Sequence, residues 1–157
     1  MNKLDPGIKT VWAIHTILRT IFYAVVVFFI EFFFLRNNLP NWDFIPGTLA
    51  VSIFMFGFIM TFIYPWLAYK YWAFEVREKE LYLKRGILNR IYTTAPYSRV
   101  QHIDVQQSFI ERTMHLGRLV IYTAGTRGAD VTVPGLPIEY AEELRDQLKN
   151  ITSEDAV

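Results

Sequence analysis

A chain of 157 residues has room for one ordinary domain plus short membrane segments. Hydrophobic residues make up 52% of it and aromatics 17%, mostly before residue 73, while a formal net charge of +1 leaves no global electrostatic footprint for a nucleic-acid partner. Cysteine is absent, which excludes disulfide frameworks, thiolate metal sites and cysteine nucleophiles together.

Residues 1–10, MNKLDPGIKT, are polar and broken by Pro6-Gly7, and they read as a short, mobile, cytoplasmic lead-in. The next segment, 11–35, is apolar but carries His15, Arg19 and Glu31. Its uncharged centre, 21–30, is too short to span a bilayer core of about 30 Å alone. Arg19 can snorkel to the near interface with its stem in the apolar layer. Glu31 falls near the opposite interface. Twelve positions separate the two, about 18 Å at 1.5 Å per residue, so they cannot pair on one straight helix. Lys3 and Lys9 resemble the basic start of a signal peptide, yet no small-x-small cleavage pattern follows, so the segment reads as a retained helix.

The link 36–43, RNNLPNWD, is short and turn-rich, which makes the flanking helices an antiparallel hairpin. Residues 44–69 then run FIPGTLAVSIFMFGFIMTFIYPWLAY without a charge. That exceeds the roughly 20 apolar residues a spanning helix needs. Trp42 and Phe44 flank its start, and Tyr64, Trp66, Tyr69, Tyr71 and Trp72 flank its end, as rings at membrane–water interfaces do. Pro46 suits a first helical turn, and Pro65 predicts a kink or stop in the last one. Lys/Arg counts near the helix ends are higher on the two terminal sides than on the link, which carries Arg36 alone. Both termini are therefore expected in the cytoplasm of a multi-pass plasma-membrane protein.

From residue 71 the texture changes. The segments 72–78, 80–86, 87–97, 99–107, 117–125 and 129–135 alternate apolar and polar residues and are rich in Val, Ile, Tyr and Thr, which predicts half-buried strands. Turn signals separate them at 78–79, 85–86, 95–96, 125–128 and 134–135. Residues 109–117 read as a short helical connector ending at Gly117. Residues 137–150 read as a helix with an apolar stripe of Ile138, Ala141, Leu144 and Leu148, early glutamates, and Arg145 and Lys149 late. Residues 151–157 read as a flexible tail. Six strands are too few to bury both faces of a sandwich but enough for a small bent barrel capped by the helix.

The run LYLKRGILNRIYTTAPYSRVQHIDVQQSFIERTMHLGRLVIYTAG, followed by VTVPGLPIEYAEELRDQL, resembles the bacterial pleckstrin-homology (PH-like) domain of small YdbS-like membrane proteins. The carrying elements are Arg85-Gly86 at a strand end, Pro96, the Arg99 to Ile103 turn into a strand, Leu116-Gly117 before a strand, and Pro134 to Leu136 before the closing helix. With the two preceding helices the resemblance covers roughly residues 11–150. It implies a two-helix transmembrane hairpin over 11–70 and a cytoplasmic PH-like barrel over 71–150 capped by a C-terminal helix. It implies no catalytic activity and no cofactor. It further implies a membrane complex with a larger relative carrying several PH-like domains, and a part in envelope defence against membrane-active peptides.

Three groups of residues are candidates for function. Between 84 and 128 stand Lys84, Arg85, Arg90, Arg99, Arg112, Arg118 and Arg127 against Asp104 and Glu111, a net of +5. Close to a membrane exit, such a cluster could meet anionic lipid headgroups or an acidic partner; charge runs are more often plain solvated faces. His102 and Asp104 share a strand face with Gln101 beside them, so a His–Asp pair is available to a hydrolase. No nucleophile motif accompanies it, and His102 and His115 lack metal-ligand spacing. In the membrane part, Arg19, Glu31, Ser52 and Gly57 are candidate assembly contacts, the last two in a stripe Thr48–Ser52–Gly57–Thr61 that would allow close helix packing. The favoured reading is a non-enzymatic, membrane-anchored binding or scaffolding subunit. The alternatives are a subunit of a transport or export system, a lipid-headgroup-binding membrane module, and a membrane-bound hydrolase using His102 and Asp104.

Overall fold

The computed structural model describes residues 1–35, 47–124 and 131–154, with the side chains of 35, 153 and 154 excepted. The chain divides into two compact units, Thr10–Trp66 on one hand and Met1–Lys9 with Leu67–Val157 on the other.

The first unit holds two helices. Helix α1 spans Ile8–Ile30 and continues as a π-helical turn over Glu31–Leu35. Helix α2 spans Thr48–Tyr71 with Pro65 inside it. Their apolar stretches, Ile8–Phe34 and Thr48–Tyr71, are 27 and 24 residues long, enough to cross a bilayer core. Large apolar side chains point outward around both, including Phe22, Phe33, Phe34, Phe56 and Phe62. A helix that is apolar all round and unburied is suited to lipid rather than water. The turn expectations for the link, including Trp42, Phe44 and Pro46, lie outside the described residues. Pro65 does not end α2, which continues for six further residues to Tyr71.

The second unit carries two antiparallel three-stranded sheets. Strands β1 (Ala73–Val76), β2 (Glu80–Arg85) and β3 (Ile91–Pro96) form one. Strands β4 (Val100–Gln106), β5 (Leu116–Thr123) and β6 (Val131–Pro137) form the other. A 3-10 turn over Tyr97–Arg99 joins them, and a short helix α3 (Phe109–Thr113) connects β4 to β5. Helix α4 (Ile138–Glu154) follows β6 directly. This is the expected PH-like arrangement, but the strand ladders do not close into one barrel: among the described residues the hydrogen bonding stays within two sheets.

Alternation sets the core. Leu81 and Leu83 of β2, Leu119 and Ile121 of β5, and Val133 of β6 are buried, as are Ala141, Leu144 and Leu148 of α4. The stripe spacing of α4 is what turns those three residues onto the β4–β6 sheet. Tyr97 is 2% exposed, and its hydroxyl donates to the Arg77 carbonyl at 2.9 Å, tying the β1–β2 turn to the end of β3. Burial, then the Glu80 charge, pushes this phenol up from its ordinary value. Helix α3 starts at a capping box: Ser108 Oγ accepts from the Glu111 N–H while Glu111 accepts from the Ser108 N–H.

Two expectations at the chain ends are corrected. The N-terminal residues are not a loose lead-in. Asn2 forms an antiparallel bridge with Phe74 on β1, and the Asp5 N–H donates to the Gly135 carbonyl at 2.8 Å. Leu4 and Ile8 are buried, Tyr69 donates its hydroxyl to the Leu4 carbonyl, and Lys3 donates to the Lys70 carbonyl. Gly135 sits at φ +61°, and a Cβ there would strike Ile8, so this residue must be glycine for the segment to pack. Backbone pairing and the burial of Leu4 and Ile8 outweigh the Pro6-Gly7 turn signal, which only bends the segment. At the other end α4 runs to Glu154, past the expected stop at 150, and the Thr152 hydroxyl donates to the Lys149 carbonyl there.

Candidate functional site

Glu31 is the most constrained ionisable residue of the helical unit. It is 2% exposed. Its Oε2 accepts from the backbone N–H groups of Gly47 and Ala50 at 3.1 and 3.3 Å, and its Oε1 accepts from Leu49 N–H at 3.1 Å. These donors belong to the first turn of α2, which has no intrahelical partners and carries the positive end of the helix dipole. A carboxylate there satisfies donors that an apolar solvent cannot. The π-helical turn starting at Glu31 is the local irregularity that accompanies this reach.

Further along the seam, α2 buries Ala50, Gly57 and Pro65, and α1 buries Thr16 and Thr20. A side chain at Gly57 would strike Thr20. Both threonine hydroxyls bond back along their own helix, Thr16 to the Trp12 carbonyl and Thr20 to the Thr16 carbonyl, so neither needs a polar partner across the seam. Glu31 and Gly57 are thus both used inside the hairpin, the packing against the first helix that the small-residue stripe left open beside an external contact. Ser52 stays exposed with its hydroxyl on the Thr48 carbonyl, so the stripe Thr48–Ser52–Gly57–Thr61 is not the packing seam. Thr48 and Ser52 are exposed, and the residues that α2 buries, Ala50, Gly57 and Pro65, advance by seven and eight. Arg19 differs from these: it is exposed on α1, and none of the ion pairs among the described residues involves it.

The basic residues of the sheet unit do not form one face. Arg112 is exposed on α3, Arg99 on the 3-10 turn. Arg118 is paired: its Nη2 lies 2.6 Å from Glu111 Oε2, and its Nε also donates there at 3.2 Å. Burial pushes the Glu111 carboxyl up, but the Ser108 N–H and the Arg118 guanidinium outweigh it and hold the group below the ordinary carboxylate value. Arg118 is therefore structural and not a spare cation. Arg127 lies outside the described residues. Lys84, Arg85 and Arg90 lie on one element, the β2–β3 hairpin. Cross-strand pairing sets Lys84 opposite Tyr92 and Arg85 opposite Ile91, and Arg90 immediately precedes β3.

His102 and Asp104 meet as their spacing predicts, Nε2 to Oδ1 at 2.7 Å. The pair is open to water, His102 67% and Asp104 38% exposed by side chain. Tyr122 lies across the ladder from His102, with ring centroids 5.8 Å apart, and Gln106 donates to the Tyr122 hydroxyl. This is a polar cluster on a sheet face; an exposed ion pair of this kind is worth little and is not desolvated for chemistry. Gln101 is exposed beside it. Among the described residues no group of three His, Asp or Glu side chains is placed to hold a metal.

Two residues escaped sequence reasoning, and a local signal exists for the first. Ser108, three positions before Glu111, has the spacing of a capping box. Leu88, between Arg85 and Arg90, is 94% exposed at the hairpin tip, an apolar residue in a turn that periodicity cannot place.

Comparison with known proteins agrees with this architecture. The family model described as "Bacterial PH domain" matches residues 16–152. The "UPF0699 transmembrane protein YdbS" of Bacillus subtilis (strain 168) is 30% identical over 158 residues, spanning 98% of this chain and 96% of that protein. No solved structure matches. Two apolar helices of spanning length, and a transmembrane relative aligned over nearly its whole length, place the chain in the membrane. The chain belongs to the bacterial PH-domain family, in its YdbS-like transmembrane form.

Proposed function

We propose that the chain is a non-enzymatic, membrane-anchored binding subunit that scaffolds a complex with a larger PH-domain membrane protein, its PH domain on the cytoplasmic side. The observation that carries this reading is Arg19. It is exposed in the apolar span, ten positions beyond Lys9, and α2 contains no Asp or Glu at all. α1 itself has no acid, and Glu31 in the π-helical turn that continues it is taken by the start of α2. An arginine at a helix centre costs about 2.5–3.5 kcal/mol on insertion scales, and less as its stem carries the charge towards the interface. A carboxylate on a neighbouring membrane helix would offset that cost, and the one acid in the spans of a second copy, Glu31, is already bonded to that copy's own α2. The Lys/Arg distribution supports the orientation.

The hairpin seam supports a transport role less well. Its buried polar groups, Thr16, Thr20 and Glu31, are all hydrogen-bonded within the chain, and Gly57 closes on Thr20. The resemblance adds the expectation that cells lacking the chain are more sensitive to membrane-active peptides. The test is extraction of tagged protein from native membranes in mild detergent. Wild-type chain elutes with a second membrane protein carrying PH-like domains, and Arg19→Leu elutes without it. Wild-type chain eluting alone, or Arg19→Leu retaining the partner, would overturn the proposal.

A further inference from the structure

We infer that the β2–β3 hairpin tip is a second, reversible membrane contact, which seats Leu88 at the headgroup–acyl boundary of an anionic leaflet with Lys84, Arg85 and Arg90 on its phosphates. The hairpin extends past the core. The last core residue on β2 is Leu83 at 2% exposure, and on β3 it is Ala95. Beyond them, Arg85, Leu88, Arg90, Ile91 and Tyr92 are all exposed, Leu88 at 94%, Ile91 at 47% and Tyr92 at 53%. A protein that leaves a leucine almost wholly in water gains when that side chain finds an apolar layer.

The shape of the tip is fixed by its backbone. Gly86 adopts φ +105°, and a Cβ there would strike the Asn89 carbonyl, so the turn closes tightly and holds Leu88 outermost. Below it, Tyr82 and Tyr92 stack with centroids 6.3 Å apart, and Lys84 Nζ stands 5.9 Å from the Tyr92 ring centre. Apolar apex, aromatic collar and cationic flanks are the composition that favours the membrane interface. Charge complementarity selects an anionic surface: residues 81–97 include Lys84, Arg85 and Arg90 and no Asp or Glu. None of the three is in an ion pair among the described residues, whereas Arg118 is. The occupant is the bilayer in which the chain is already anchored, since β1 begins two residues after α2 ends. Such tethering raises the effective concentration of lipid at the domain, so a weak contact suffices. The inference does not depend on the partner proposed above.

The absence of cysteine permits a direct test. Full-length Leu88→Cys, carrying an environment-sensitive fluorophore, is reconstituted into nanodiscs of phosphatidylcholine alone or with phosphatidylglycerol. Glu142→Cys, exposed on α4, is the control position. The expected result is a blue shift, and quenching by lipid-borne nitroxides, at residue 88 only and only with phosphatidylglycerol. Both effects are lost when Arg85→Gln and Arg90→Gln are added and fade as salt is raised. Free inorganic phosphate does not produce the shift, which separates a bilayer from a dissolved phosphate ligand. A residue-88 probe that stays water-exposed in both discs, responds equally in both, or responds to free phosphate would overturn the inference.

Discussion

Removal of the Glu31 carboxylate should loosen the hairpin more than any other single change to its polar residues. Glu31→Ala deletes three hydrogen bonds to backbone donors, at 3.1, 3.1 and 3.3 Å, at a site where the carboxylate is 2% exposed. Bonds to charged groups are worth about 1.5–3 kcal/mol each in soluble proteins. Polar contacts inside membranes average only about 0.6 kcal/mol each. A charge at a helix N-terminus adds roughly 0.3–1 kcal/mol. Between those limits, a loss of about 2–4 kcal/mol in hairpin stability is expected. Glu31→Gln keeps the size but opposes its own N–H donors to those of α2, and should lose at least half as much. Arg19→Leu, which breaks no contact within the hairpin, should leave its stability unchanged. The assay is equilibrium unfolding in mixed micelles of mild detergent and dodecyl sulfate, read by energy transfer between labels on single cysteines introduced into α1 and α2. A cost under about 0.5 kcal/mol for Glu31→Ala would refute the reasoning, because unsatisfied N–H groups in an apolar medium cannot be that cheap.

Three further outcomes follow from the same geometry. Gly57→Ala should destabilise the hairpin by about 1–3 kcal/mol through overpacking on Thr20, and Thr20→Gly should restore most of the loss, a coupling read from a double-mutant cycle in the same assay. Tyr97→Phe should cost about 1–2 kcal/mol in denaturant unfolding of the PH domain, since it strands the Arg77 carbonyl near a buried ring. The depressed Glu111 carboxyl stabilises the fold above the unfolded-state value of about 4.3, and that contribution is lost as pH falls through the still lower folded-state value. Glu111→Gln should therefore lower the thermal midpoint at pH 7 and flatten its fall on acidification; an acid limb identical to wild type would contradict the assigned pairing.

Much of the fold is legible because each element rests on a local signal. Charge-free length marks α2, period-two alternation marks the six strands, and the i, i+3, i+7 spacing of Ala141, Leu144 and Leu148 marks the buried face of α4. What stays hidden depends on contacts between residues far apart in sequence. Asn2 and Phe74 pair across 72 positions, and nothing near Asn2 announces a strand partner. The same applies to Gly135, whose glycine requirement is set by Ile8. Open or closed sheets also differ only in long-range pairing, which is why a barrel was the natural expectation.

The site residues divide along the same line. Composition marks Glu31 and Gly57 as unusual for a membrane span, yet only the structure shows that both are spent on the chain's own seam. A basic stretch looks like one cluster in sequence. In space it separates into Arg118, neutralised by Glu111, the scattered Arg99 and Arg112, and the hairpin trio of Lys84, Arg85 and Arg90. His102 and Asp104 were correctly brought together by strand periodicity, but periodicity is silent on exposure, and exposure is what separates a surface pair from a desolvated one.

The most direct test of a cytoplasmic binding domain on a membrane hairpin is the side on which each end of the chain lies. Asn38→Cys in the link and Thr152→Cys on α4 can each be probed alone with a membrane-impermeant maleimide, because the chain has no cysteine of its own. The account predicts labelling of residue 38 in intact cells and of residue 152 only after the membrane is opened. Labelling of residue 152 in intact cells, with residue 38 protected, would contradict it.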